Sequence, residues 1–103
     1  MMLINNLLDK FKAKKGFTTD KQIAYDLSIS CQKLSAVRQG SRFLTEKQLF
    51  YLSQATNCNY ELVILDLLIH KSKFDKTEVV LQILFNERLS HYSYNLFEDY
   101  GSA

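Results

Sequence analysis

The chain has 103 residues, 47% hydrophobic and 23% charged, which suits one compact domain and excludes a disordered segment. A chain of this length buries about 65% of its unfolded surface, enough for a core without covalent staples. Its two cysteines, Cys31 and Cys58, are too few for a disulfide framework. His70 and His91 lie too far along the chain to give metal-ligand spacing with them, so neither a metal nor another cofactor is expected.

The net charge of +2 averages two unlike halves. Residues 1–59 hold nine Lys/Arg against four Asp/Glu, and residues 60–103 hold four against seven. A basic front and an acidic rear suit a protein that offers one face to a polyanion and another to itself or a partner, although segments this short also differ by chance. There is no proline, and the three glycines (Gly16, Gly40 and Gly101) fall where helices are expected to end.

Residues 3–14 place Leu3, Leu7, Leu8 and Phe11 on one helical face. Lys12, Lys14 and Lys15 suit the last turn, and Gly16 stops it. This opening is short, amphipathic and interrupted by Asp9, unlike a signal peptide. Thr19 with Gln22 three residues on reads as a capping box, opening a two-turn helix with Ile23, Ala24 and Leu27 inward. After Ser28-Ile29, Ser30 caps a further helix with Leu34 and Val37 inward, ended by Gly40.

Ser41 to Leu44 connects to a helix capped by Thr45, with Gln48 at the capping-box position and Leu49, Leu52 and Ala55 inward. Asn57-Cys58-Asn59 is a turn. Residues 60–70 are apolar almost all round and should be buried on several sides. Within them, 62–69 is broken by Asp66 and is far too short to span a bilayer. Asp66 should turn outward or be paired rather than act in catalysis, and His70 suits the helix's negative end. Asp75 caps a last helix carrying Val79, Val80, Leu81, Ile83, Leu84, Phe85 and Leu89. From Ser90 the aromatic tail (Tyr92, Tyr94, Phe97, Tyr100) is expected to be loop. A cytoplasmic protein with no membrane contact and no small-molecule substrate is expected.

The stretch that carries chemical information is residues 20–40, DKQIAYDLSISCQKLSAVRQG. Two short helices meet around a tight turn. Ala24 is small enough to let them cross closely, and Leu27, Ile29, Leu34 and Val37 lock the pair onto a core. The start of the second helix then projects, and a projecting helix fits the DNA major groove, about 12 Å wide.

In this stretch the chain resembles the lambda-repressor-like (Cro/repressor type) helix-turn-helix family. Ile23-Ala24, Leu27-Ser28-Ile29-Ser30, Leu34 and Gly40 stand in the family's register, and 45–55 matches its next helix. The resemblance covers roughly residues 2–70 and is closest to phage- and prophage-borne members with a longer C-terminal extension. It implies an all-α fold, a five-helix domain over 1–73 followed by a C-terminal helix and tail over 74–103. It also implies a transcriptional regulator, most simply a repressor, that binds double-stranded DNA as a homodimer. Cys31, Gln32, Lys33, Ser35 and Ala36 fall where the family meets bases. Thr18, Thr19, Lys21, Arg38, Gln39, Ser41 and Arg42 fall around the helix ends that meet phosphates. Val79, Val80, Ile83, Leu84 and Phe85, on the wide apolar face of the last helix, are the expected dimer contact.

Two positions depart from the family. Ser28 stands where glycine usually takes positive φ, at a cost of about 1 kcal/mol. Arg38 stands where the family often has Glu, which leaves open what holds that end of the helix. Cys31, at a helix start, is either a small polar contact or an oxidant sensor; the absence of a nearby resolving cysteine favours the first. The alternative function is a protein-interaction module on the same scaffold, such as a phage-encoded inhibitor of a host protein. Acidic or apolar residues in place of Gln32, Lys33, Arg38 and Arg42 would mark it, and the residues present favour DNA. No nucleophile triad, metal cluster, carboxylate pair or phosphate-cradling loop stands in the sequence, so an enzyme is not expected.

Overall fold

The computed structural model describes Met1 and residues 3–91. These form an all-helical chain of six α-helices: α1 (Ile4–Lys15), α2 (Asp20–Asp26), α3 (Cys31–Gln39), α4 (Glu46–Thr56), α5 (Tyr60–Lys71) and α6 (Asp75–His91). The loop expected over the aromatic tail lies outside the described residues from Tyr92 onward.

The helix ends follow from local chemistry. Gly16 and Gly40 stop α1 and α3 at φ 70° and 85°, a region open to glycine without steric cost. Ser30 Oγ accepts from Lys33 N at 3.0 Å and starts α3. At α4, Thr45 Oγ1 accepts from Gln48 N at 3.1 Å while Gln48 Oε1 accepts from Thr45 N at 2.9 Å. Gln22 folds back at the start of α2, its amide oxygen accepting from the backbone of Thr18 at 2.7 Å and Thr19 at 3.0 Å. Asn59 caps α5 by accepting from Glu61 N at 3.0 Å.

One cluster of buried side chains gathers α1 to α5: Leu7, Leu8 and Phe11 meet Ile23, Ala24 and Leu27, with Leu34, Val37, Leu49, Leu52, Val63 and Leu67. The inward residues read from helical spacing are therefore largely those that pack. Ala55 is only half-buried against this cluster. Leu3 precedes α1 and joins a second, smaller cluster with Leu62, Ile69 and Phe85, through which α6 packs on α5.

Phe85 is 2% exposed, so it belongs to the core and not to the expected dimer contact. The reason is geometric: α6 must turn one side toward α5, and Phe85 with Leu81 and Leu89 occupies that side. Val79, Val80, Ile83 and Leu84 stay exposed. In α5, Leu68 is exposed while Leu62, Val63, Leu67 and Ile69 are buried, so the helix is covered on several sides but not all. Asp66 is fully buried and paired: it accepts from Leu3 N at 2.8 Å and lies 3.4 Å from His70 Nδ1. No helix among the described residues is long and apolar enough to cross a membrane.

Candidate nucleic-acid interface

α2 and α3 are joined by Leu27 to Ser30, and the backbone of this turn is closed from within. Ser28 N donates to Tyr25 O at 3.1 Å, and Ile29 N donates to Ala24 O at 3.0 Å. Ser28 adopts φ 57°, the left-handed conformation in which glycine is the ordinary occupant. The turn is also held from outside. Gln48 Nε2 on α4 donates to Leu27 O at 3.2 Å, and Tyr51 Oη donates to Asp26 Oδ2 at 2.8 Å.

With Leu34 and Val37 buried, the opposite side of α3 faces solvent. Cys31, Gln32, Ser35 and Gln39 are exposed on it, and Lys33 and Ala36 are half-buried at its margins. Their spacing of three and four residues sets Cys31, Gln32, Ser35, Ala36 and Gln39 along one face. α3 contains no carboxylate. Arg42 is exposed just beyond its end, and Thr18, Thr19 and Lys21 are exposed at the start of α2. Ser41 Oγ donates to Ala36 O at 3.2 Å and helps close α3. Gln22 Oε1 accepts from the backbone N–H groups of Thr18 and Thr19 at 2.7 and 3.0 Å and from both hydroxyls at 3.3 Å, so the two threonines are tied to the start of α2 through both groups.

Arg38 does not stand with the expected phosphate contacts. Its Nε lies 2.7 Å from Asp20 Oδ2 and its Nη2 lies 3.0 Å from Asp20 Oδ1 and 2.9 Å from Asp9 Oδ1. Its Nη1 donates to Asn5 Oδ1 at 3.0 Å, and Asn5 Nδ2 donates back to Arg38 O at 3.1 Å. A guanidinium with this many anchored donors is a fastener between α1, α2 and α3. It holds the C-terminal end of α3 against the starts of α1 and α2. Lys12 Nζ adds a second cation to Asp20 at 3.2 Å. The hydrogen bonds from Arg38, reinforced by Lys12, hold the Asp20 carboxyl below its ordinary range. Burial works against the charge on Arg38, and its bonds to Asp20 and Asp9 more than offset this.

This clamp has an electrostatic consequence for the exposed face. Both carboxylates of α2, and Asp9 of α1, are engaged: Asp20 and Asp9 by Arg38, and Asp26 by Tyr51. The cations Lys21, Lys33 and Arg42 have no such partners among the described residues. The clamp was not found by sequence reading, although Asn5 and Asp9, four residues apart, mark one face of α1 aimed at a single cation. Tyr25 was missed too. It is 88% exposed on the outer side of α2, beside Lys21 and an open cleft that Phe17 also lines.

Of the cysteines, Cys31 is exposed at the first turn of α3 and Cys58 is buried, its thiol pushed up to about 11 by burial. No group of His, Cys, Asp and Glu among the described residues is arranged to hold a metal ion. Comparison with protein-family models, curated proteins and solved structures finds no match to the chain.

Proposed function

We propose that α2 and α3 form a helix-turn-helix of the lambda-repressor-like kind, and that the protein is a sequence-specific regulator of transcription, most simply a repressor. α3 enters the major groove of double-stranded DNA, with Gln32 reading a base edge. An amide bonds adenine in two places, Lys33 reaches a guanine edge or a phosphate, and Ala36 meets a thymine methyl. Lys21, Gln39, Ser41 and Arg42, with Thr18 and Thr19, lie along the phosphates at the two ends, and the charged pair Lys21 and Arg42 supplies most of the attraction. The resemblance to phage- and prophage-borne proteins supports a regulator of a phage, prophage or similar mobile element. One short helix contacts few base pairs, so a twofold pair of chains is part of the reading.

The observation that carries it is the solvent face of α3, which is polar, free of carboxylates and flanked by cations that form no ion pair among the described residues. A gel shift with the DNA just upstream of its own gene, at two salt concentrations, tests it. Neutralisation of phosphates by Lys21 and Arg42, with Lys33 added where it takes a phosphate rather than a guanine edge, predicts a log–log salt slope of about −2 to −3 per chain. A slope near zero, or no retardation, overturns the reading.

A protein partner docked on α2 is the second reading, and Tyr25 favours it, since a large aromatic left at the surface is a frequent contact residue. Under the DNA reading, Tyr25→Ser leaves the salt slope unchanged.

A further inference from the structure

Phe85 points α6 toward α5, and at 3.6 residues per turn the opposite direction is occupied by Lys76, Val80, Ile83 and Glu87. Val79 and Leu84 flank this row on either side. The four apolar residues are exposed by 57% (Val79), 56% (Val80), 59% (Ile83) and 44% (Leu84). Arg88, the neighbouring cation, is drawn aside to Glu61 on α5 at 3.3 Å, which leaves Glu87 as the charge that ends the row. The outward stripe thus reads cation, apolar, apolar, anion.

That order is complementary to its own reverse. We infer that α6 pairs antiparallel with α6 of a second copy of the chain about a twofold axis. Lys76 then lies opposite the partner's Glu87, and Val80 lies opposite the partner's Ile83, each contact made twice. Val79 and Leu84 close the flanks. The charges at the ends of the row stand eleven residues apart, about 16 Å along the helix, and bracket the apolar contact. A parallel pairing would oppose Lys76 to Lys76 and Glu87 to Glu87, so the charges select the antiparallel arrangement. They also select a second copy over an unrelated partner, because the complement is present on the same helix. The pairing uses no residue of α2 or α3. It supplies the twofold that the DNA reading calls for, yet it is measured without DNA, and either can fail alone.

Sedimentation equilibrium of the full chain at about 50 μM and low salt reads the pairing directly. The wild type is expected at twice the chain mass and Ile83→Asp at the chain mass. Lys76→Glu and Glu87→Lys each set like charges face to face at both ends and are expected to weaken association about tenfold. The double variant K76E/E87K restores both pairs and returns association to within about threefold of wild type. Circular dichroism confirms folding of each variant, and if Ile83→Asp unfolds the charge series decides alone. A monomeric wild type, single reversals that associate as well as wild type, or a double variant no better than the singles overturns the pairing.

Discussion

Arg38 grips Asp20 through two prongs, Nε to Oδ2 at 2.7 Å and Nη2 to Oδ1 at 3.0 Å, and so joins the end of α3 to the start of α2. The side chains are only 20% and 42% exposed, which places the pair between a solvated surface bridge and a buried one. With Asp9 and Asn5 added, the same guanidinium also holds α1. Arg38→Met keeps much of the apolar stem and removes every hydrogen bond, so the loss reports the clamp. The expected destabilisation is about 1–2 kcal/mol, read as a lower midpoint in urea with an unchanged slope. A variant as stable as wild type would mean the clamp contributes nothing.

The clamp also predicts a dependence on pH. The carboxyl of Asp20 is held below its ordinary value of 3.8, chiefly by the hydrogen bonds from Arg38. A depressed acid binds its proton more weakly in the folded than in the unfolded chain. Its contribution is therefore complete above the unfolded value and is lost as pH falls through the folded one. The stability gap between wild type and Asp20→Asn should be constant at neutral pH and close below pH 3.8. A gap that persists unchanged at the acid end would remove the charge on Asp20 from the account.

Ser28 sits in left-handed backbone at φ 57°. A side chain there costs about 1 kcal/mol or more, of which glycine would return part because it is also freer when unfolded. Ser28→Gly is expected to raise stability by about 0.5–1 kcal/mol, a shift of a few degrees in melting temperature. Ser28→Val, β-branched at positive φ, should lower it by about 1 kcal/mol or more. The opposite order would mean that the turn relaxes to another conformation.

The two thiols should separate cleanly by reactivity. Cys31 is exposed, whereas Cys58 is buried and its thiol is pushed up to about 11. Since the thiolate is the reactive form, a colorimetric disulfide reagent at pH 8 should modify one thiol per native chain quickly and the second only on unfolding. Cys31→Ser should abolish the fast phase. Fast reaction of both would show that the Asn57–Asn59 turn opens readily.

These relationships differ in how far they could be read from the chain. Capping residues announce themselves locally, so Thr19, Ser30 and Thr45 were legible, and each starts the helix it was expected to start. Leu34 and Val37 were legible from spacing. The role of Arg38 was not, because its partners lie 18, 29 and 33 residues away and only the folded crossing of α1, α2 and α3 assembles them. Phe85 was misplaced for a related reason. Helical spacing identifies apolar residues in α6, but which of them faces inward depends on where α5 lies. Asp66 shows the same limit: its pairing with the backbone of Leu3 spans 63 residues.

The site itself predicts a split between two substitutions. Gln32 lies on the exposed face of α3, and under the DNA reading its amide meets a base edge. Arg42 is exposed beyond Gly40, and under the same reading it meets only phosphate, which is alike in every sequence. Gln32→Ala should therefore compress the ratio of operator to non-operator affinity by about 1–3 kcal/mol while leaving the salt slope in place. Arg42→Ala should weaken all DNA about equally and reduce the slope by about one per chain. Neither side chain is part of the core or of the Arg38 clamp, so both variants should melt close to wild type, which separates loss of contact from loss of fold. If Gln32→Ala leaves operator discrimination intact while Arg42→Ala alters it, the register of α3 in the groove is wrong. If neither changes any DNA affinity, this face of α3 is not the DNA contact.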